Sequence, residues 1–115
     1  MRGLRTEERE RLYAAYRSRG ELARECVLCG KTPLESFRFW KIVENSFPYD
    51  QIAETHHMIL PFRHIIESEL NAEELKELAE LKAGSINEKY DFIMEPTQKR
   101  KTIPKHFHLH LIVAI

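Results

Sequence analysis

Three histidines alternate with apolar residues near the carboxyl end of the chain. Residues 106–112 read His-Phe-His-Leu-His-Leu-Ile. In a β-strand successive side chains point to opposite faces, so His106, His108 and His110 would share one face and the apolar side chains the other. Neighbouring imidazoles on that face would start roughly 6.5–7 Å apart. The pattern predicts a strand over residues 106–113 that presents a row of bases, nucleophiles or metal ligands.

The composition fits one folded domain over residues 1–115. The chain is 43% hydrophobic and 31% charged, which favours a packed core and argues against disorder. The formal net charge is zero, so no whole-molecule field attracts nucleic acid or an anionic membrane. The first residues are rich in Arg and Glu, and no apolar run is long enough to span a membrane. We expect no secretion signal, no membrane partner and a cytoplasmic protein.

Two segments have the pattern of a helix. The first covers residues 6–19, and Gly20 is a plausible end. The second begins after Asn71, a typical N-cap residue, and would bury a stripe of leucines. This helix is expected to run towards Glu88, although Gly84 weakens its middle. The predicted stripe consists of Leu75, Leu78 and Leu81.

Short runs rich in aromatic and β-branched residues indicate strands. They cover residues 37–43, 56–60 and 90–94, in addition to the histidine strand at 106–113. A loop with Pro48 follows the first run, and a polar loop rich in Lys and Arg precedes the last. Together the elements predict an α+β fold, an antiparallel sheet with helices packed on it.

The two cysteines, Cys26 and Cys29, are separated by two residues and followed by Gly30. Such a pair is either a redox couple, half of a zinc site, or two structural thiols. A thioredoxin-like couple would open a helix, whereas this pair follows a predicted helix and precedes a strand. Soft thiolates together with the available imidazoles favour a structural zinc ion. We therefore predict a zinc-binding turn over residues 26–30.

The histidine row itself has three interpretations. A sticky surface strand or tag would lack the regular apolar interleaving. A metal site would use several imidazoles on one ion. A catalytic site would need one neutral imidazole as nucleophile, because histidine titrates near neutrality and can both attack and leave.

The segment 106–112 resembles the signature of the histidine-triad (HIT) superfamily of nucleotide hydrolases and transferases, in which three histidines alternate with apolar residues. The resemblance extends upstream to residues 44–50 and 55–65, which read Glu-Asn-Ser-Phe-Pro-Tyr-Asp and Thr-His-His-Met-Ile-Leu-Pro-Phe-Arg-His-Ile. The Cys-x-x-Cys pair is similar to that of the zinc-binding branch, which also includes galactose-phosphate uridylyltransferases. The resemblance implies a HIT-like sheet of about five strands.

By this resemblance the middle histidine, His108, is the nucleophile. It would attack the α-phosphorus of a nucleotide and form a nucleotidyl-histidine intermediate, which water or another acceptor then cleaves. His110 and His56 resemble histidines at the phosphate. Asn45 resembles the polar residue that binds the nucleotide ribose. Phe39, Ile42 and Val43 are candidates for the base pocket, although core packing explains them at least as well.

The resemblance also completes the metal site. His106 and His64 match histidines that bind zinc together with the two cysteines. The implied ligand set of the structural Zn²⁺ is Cys26, Cys29, His64 and His106. His57 alternates with His56 and should face the other way.

One departure from the family pattern concerns the loop before the triad. Many relatives carry glycines with Gln or Ser there, which donate to phosphate. Residues 98–105 contain no glycine. Thr102 is the nearest hydroxyl, and Lys105 is one of several cations that would contact an anion instead. A solvated basic loop is an equally good explanation of these residues.

The resemblance implies a nucleotide substrate, a purine mononucleotide conjugate, and a homodimer. The leading hypothesis is a zinc-stabilised hydrolase or nucleotidyltransferase. A non-catalytic protein that binds a nucleotide or another partner is the alternative, because the Gly-rich loop is missing. A module that acts on nucleic acid has only the short run Lys99–Lys101 in its favour, against the neutral net charge.

Overall fold

A computed structural model describes residues 3–18, 26–100 and 103–115. It contains five strands: β1 (Glu35–Ser36), β2 (Trp40–Glu44), β3 (Ala53–Pro61), β4 (Phe92–Met94) and β5 (Leu109–Ala114). The helices are α1 (Glu7–Ser18), α2 (Ala72–Ala83) and α3 (Ser85–Lys89). Thr102 and Arg19, the last residue of the predicted first helix, lie outside the described residues.

The five strands form one antiparallel sheet in the order β1-β2-β3-β5-β4. The long strand β3 lies at its centre, where β2 and β5 cover both of its edges. The α+β prediction of a sheet of about five strands with helices packed on it is therefore confirmed. Among the described helices, none combines the length and apolarity needed to cross a membrane.

Helices α2 and α3 pack on one face of the sheet. Leu78 of α2 and Ile86 of α3 belong to a buried cluster with Trp40, Phe107 and other apolar strand residues. The opposite face carries a smaller cluster, made of Leu28, Val43, Met58 and Leu60. Since Phe107, Leu109 and Leu111 all belong to the helix-side cluster, the three histidines between and before them point to the other face.

The start of α2 follows the sequence prediction. The Asn71 side chain accepts a hydrogen bond from the backbone N–H of Glu74, and the Glu74 carboxylate accepts one from the backbone N–H of Asn71. The predicted leucine stripe is wrong at Leu75, which is 50% exposed. Glu74 takes the buried place, because Arg63 donates two hydrogen bonds to its carboxylate at 3.0 and 2.6 Å. This pair lowers the pKa of Glu74 and anchors the segment that carries His64.

The second helix does not continue through Gly84. α2 ends at Ala83 and α3 begins at Ser85, with Gly84 at φ −105° and ψ −107° between them. A Cβ on Gly84 would lie 3.2 Å from the carbonyl oxygen of Glu80. The break therefore occurs at the residue that the sequence marks as weak.

The histidine strand begins later than predicted. β5 starts at Leu109, which pairs with Ile59, and the preceding residues leave the ladder. Phe107 donates its backbone N–H to the carbonyl of Ile65 at 2.7 Å, beyond the end of β3. Pro61 ends β3 because proline has no N–H to extend a ladder. His106 and His108 thus lie in the segment just before β5.

Candidate active site and metal-ligand cluster

A cavity of about 770 Å³ opens on the sheet face opposite α2 and α3. His108 and His110 lie in its wall beside Asn45, and Met58 and Leu28 of the smaller apolar cluster form part of its lining. The lining combines apolar side chains with charged and polar groups, so the cavity can bind a small molecule that is both apolar and charged.

The backbone fixes the protonation pattern of His56. Its Nδ1 accepts a hydrogen bond from the backbone N–H of Tyr49 at 2.9 Å. Burial, together with the smaller effect of the nearby charge of Arg5, lowers the pKa of His56 to about 3, so the ring is neutral at pH 7. A neutral imidazole that accepts at Nδ1 carries its proton on Nε2.

That proton points at the third histidine of the triad. Nε2 of His56 lies 2.7 Å from Nδ1 of His110, and both rings are buried. Because His56 donates, Nδ1 of His110 must accept, and the proton of neutral His110 resides on Nε2. His110 therefore carries a donor suited to an anionic oxygen in the cavity.

The middle histidine has the opposite tautomer. Nδ1 of His108 lies 2.9 Å from the carbonyl oxygen of His106. A carbonyl only accepts, so Nδ1 of His108 carries a proton, and in the neutral ring Nε2 carries the lone pair. The rings of His108 and His110 are 5.2 Å apart. A nucleophilic nitrogen and a hydrogen-bond donor therefore lie side by side.

The amide of Asn45 has a defined orientation. Its Oδ1 accepts the backbone N–H of Phe47 at 2.8 Å, and its Nδ2 lies 3.3 Å from Nε2 of His56 and 3.7 Å from the sulfur of Met58. His57, by contrast, contacts the hydroxyl of Tyr90 at 2.7 Å. The side chains of His56 and His57 thus have different partners, His110 and Tyr90, as expected for successive residues of a strand.

A second cluster of side chains could hold a metal ion. It consists of Cys26, Cys29, His64 and His106, whose candidate ligand atoms all lie within 4.8 Å of one another. Nδ1 of His106 is 3.4 Å from both sulfurs, and Nδ1 of His64 is 3.3 Å from the sulfur of Cys29. A tetrahedral ion with ligand bonds of about 2.0–2.3 Å would separate its ligands by roughly 3.3–3.8 Å.

The chemistry of the donors also fits a cation. Nε2 of His106 lies 3.0 Å from the carbonyl of Pro61, which can only accept, so Nδ1 presents its lone pair to the sulfurs. Burial lowers the pKa of His106 and so favours the neutral, ligating form. Burial and the neighbouring Cys26 raise the pKa of the Cys29 thiol, and a bound cation would reverse this preference.

Lys41 supports this cluster and was missed by the sequence analysis. It is only 5% exposed, and its ammonium donates to the carbonyls of Cys29 and Lys31 at 3.3 and 3.1 Å. These bonds hold the turn that bears the cysteines. The sequence pattern could have indicated this lysine. It lies between Trp40 and Ile42, and because side chains alternate along a strand, Lys41 faces the side of β2 opposite these two apolar residues.

Helix α1 is the other contribution that the sequence analysis did not assign to the site. Tyr13 and Tyr16 line the cavity and lie 5.0 and 5.1 Å from the ring of Phe47. Thr6 anchors the start of the helix through two hydrogen bonds to the Asp50 carboxylate, at 2.8 and 3.0 Å. The amino-terminal helix thus forms a wall of the cavity.

Other candidates lie elsewhere. Phe39 and Ile42 pack with the helix-side cluster and Val43 with the smaller cluster, and none of the three lies among the described residues that line the cavity. The base-pocket assignment is therefore not supported by their position. Lys105 is exposed and also does not line the cavity, whereas Lys99 does. The roles of Lys105 and Thr102 stay predictions.

The fold is similar to those of two solved HIT family hydrolases. The protein from Clostridium thermocellum superposes with a TM-score of 0.56 at 19% identity, over 80% of this chain and 92% of the other. The protein from Legionella pneumophila gives a TM-score of 0.53 at 20% identity, over 76% of this chain and 91% of the other. No family model and no curated protein matches the sequence. The histidine-triad resemblance is thus confirmed for the fold.

The hydrogen bonds predict the positions of three imidazole protons. In neutral solution His56 and His110 should be protonated on Nε2 and His108 on Nδ1, because their partners are a backbone N–H, a neighbouring ring and a carbonyl. Long-range ¹H–¹⁵N correlation spectra distinguish the two tautomers of each ring. A proton on Nε2 of His108 would contradict the assignment of the lone pair.

A pH titration in the same spectra serves as an internal check. Since its pKa is lowered from 6.5 to about 3, His56 should show no protonation shift above about pH 5. Between about pH 6.5 and pH 3 the His56 ring is protonated in the unfolded chain and neutral in the folded chain. The free energy of unfolding should therefore fall as the pH decreases through this range, by up to about 1.4 kcal/mol per pH unit. Titration of His56 near pH 6.5 would contradict the buried, neutral state.

Proposed function

We propose that the protein is a hydrolase or nucleotidyltransferase that acts at the α-phosphate of a nucleotide through a nucleotidyl intermediate on His108. The observation that carries the proposal is the hydrogen bond between Nδ1 of His108 and the carbonyl of His106, at 2.9 Å. It leaves a lone pair on Nε2, in a cavity wall that His110 shares.

The first step is an attack of Nε2 of His108 on the α-phosphorus. A P–N bond forms, the bond from phosphorus to the leaving group breaks, and the bonding electrons depart with that group, as a phosphate anion or as an amine that takes a proton from solvent. His108 becomes a cation whose Nδ1–H still donates to the carbonyl of His106. Nε2–H of His110 donates to a non-bridging phosphoryl oxygen and stabilises the charge that develops there.

The second step restores the enzyme. Water or another nucleophile attacks the same phosphorus and releases its proton to solvent, and the P–N bond breaks with return of its electron pair to Nε2 of His108. Water yields a nucleoside monophosphate, and a different acceptor yields a transfer product. Asn45 would hold the ribose, while Thr102 and Lys105 are proposed contacts for the phosphate side.

We further propose that Zn²⁺ occupies the cluster of Cys26, Cys29, His64 and His106. Two thiolates and two imidazoles form a closed tetrahedral set that is typical of structural zinc. The ion would contribute folding free energy and join three distant segments. Both cysteines are free thiols, which suits a reducing compartment and supports a cytoplasmic setting.

Replacement of the nucleophile tests the proposed reaction. His108→Ala should abolish release of a nucleoside monophosphate from a phosphoramidate or a dinucleoside polyphosphate, with a loss of at least about 10³-fold since the covalent step disappears. His57→Ala is the matched control, because His57 contacts Tyr90 instead. Product release is followed by chromatography.

Turnover at the wild-type rate in His108→Ala would eliminate the assignment of the nucleophile. Nucleotide binding by the wild type without turnover of either substrate class would instead favour the non-catalytic binding protein. Trapping of a nucleotidyl adduct on the wild-type chain, and its absence from His108→Ala, would support the double displacement.

Metal analysis tests the zinc site. Purified protein should contain close to one zinc per chain, and Cys26→Ala should lower both the metal content and the midpoint of thermal unfolding, because it removes a ligand. His57→Ala should leave the metal content unchanged. Full metal retention in Cys26→Ala would reject this ligand set.

We also propose a homodimer that forms through the edge strand β4. This strand pairs with β5 on one side, and its Phe92 and Ile93 are 57% and 41% exposed. An apolar edge strand is a natural site for pairing between copies. Light scattering should give a dimer for the wild type and a monomer for Ile93→Lys, with Leu12→Lys on α1 as control. A monomeric wild type at high concentration would overturn this proposal.

A further inference from the structure

Arg5 lies in the wall of the cavity that contains His108 and His110. It precedes α1, and its side chain is only 14% exposed. Nε donates to the carbonyl of Phe47 at 2.5 Å, and Nη1 donates to the carboxylate of Glu10 at 3.1 Å. The guanidinium is therefore held in one place before any ligand arrives.

Aromatic rings connect Arg5 to the phosphate-side histidines. Its guanidinium carbon lies 4.4 Å from the ring centre of Tyr13 and 4.9 Å from that of Tyr49. The ring of Tyr49 lies 4.4 Å from His56 and 5.2 Å from His110. The charge of Arg5 is thus one aromatic ring away from the proposed position of the α-phosphate.

The hydrogen bonds of Arg5 leave part of its guanidinium group available for a ligand. Among the described residues its donors Nε and Nη1 have partners, while Nη2 donates to none. Glu10 is 45% exposed, so it screens the charge only partly. A mostly buried guanidinium with spare donors suits a second anionic partner such as a phosphate, which it can bind in two places.

The other charges of the cavity wall agree with an anionic ligand. Lys31 and Lys99 also line the cavity, and the described acidic residues there are Glu10 and Glu95. Three cations therefore face two carboxylates, which leaves a surplus of positive charge for an anionic ligand.

We propose that Arg5 is a specificity-determining residue that binds an anionic group beyond the α-phosphate, so that the site prefers nucleotides with a second phosphate. The ring of Tyr49 separates Arg5 from His110, which places Arg5 near the next group along the phosphate chain. This inference rests on the proposed function, since it takes the α-phosphate to lie at His108 and His110.

Calorimetry with matched nucleotide pairs tests this role. The wild type should bind ADP or GDP at least roughly tenfold more tightly than AMP or GMP, the ratio expected for one charge-assisted contact. Arg5→Gln should reduce this ratio to nearly one by weakening only the diphosphate, and Arg5→Lys should restore part of it. The ratio should also fall with added salt in the wild type.

A matched control separates charge recognition from structural support. Asp50→Ala removes both hydrogen bonds that anchor the start of α1 at Thr6 and keeps Arg5. This variant should bind the diphosphate and the monophosphate of each nucleotide pair more weakly by the same factor. If Arg5→Gln behaves in that way, Arg5 only holds the helix in place and the proposal is overturned.

The test is independent of turnover. A diphosphate preference that depends on Arg5, in a protein that releases no product, would sustain this inference and refute the proposed reaction. Turnover together with a preference that Arg5→Gln leaves unchanged would refute the inference alone. A wild type that binds none of the four nucleotides would overturn both.

Discussion

The site depends on His106, which is fully buried and connects three parts of the molecule. Its Nε2–H donates to the carbonyl of Pro61, its Nδ1 faces the sulfurs of Cys26 and Cys29, and its backbone carbonyl accepts from His108. Because one residue makes all these contacts, the end of β3, the cysteine turn and the proposed nucleophile are fixed relative to one another. A shift of this residue would disturb the metal-ligand cluster and the tautomer of His108 together.

The register of the sheet fixes the positions of the other side chains of the site. β3 lies between β2 and β5, and the register places Met58 beside His110 and His56 beside Ile112. Met58 and His110 lie opposite each other on neighbouring strands, and both side chains line the cavity. Helices α2 and α3 cover the other face, whereas α1 forms a wall of the cavity. This division leaves one face for packing and one for a ligand, which is how a chain of this size accommodates both.

The sequence revealed the histidine row by its regular spacing and the cysteine pair by its close spacing, whereas His64 and His106 were added to the metal-ligand set only through the resemblance to the zinc-binding branch. The sheet was predicted from alternation, but alternation does not tell which face of β2 the helices cover. Phe39 and Ile42 were therefore considered for the base pocket, although they pack under the helices. Arg5 gave no signal, since it reaches the cavity only through contacts with Phe47 and Tyr49, more than 40 residues away in the chain.

The hydrogen-bond row that runs from Tyr49 through His56 to His110 has a fixed polarity. It starts at a backbone amide, which has one proton and no alternative tautomer, so each ring in turn accepts at Nδ1 and donates at Nε2. Such a one-way row polarises a phosphoryl oxygen but keeps no surplus proton for a departing group. Under the proposed reaction a phosphate would leave as a stable anion and need no acid from this row, whereas the amine of a phosphoramidate would have to take its proton from solvent.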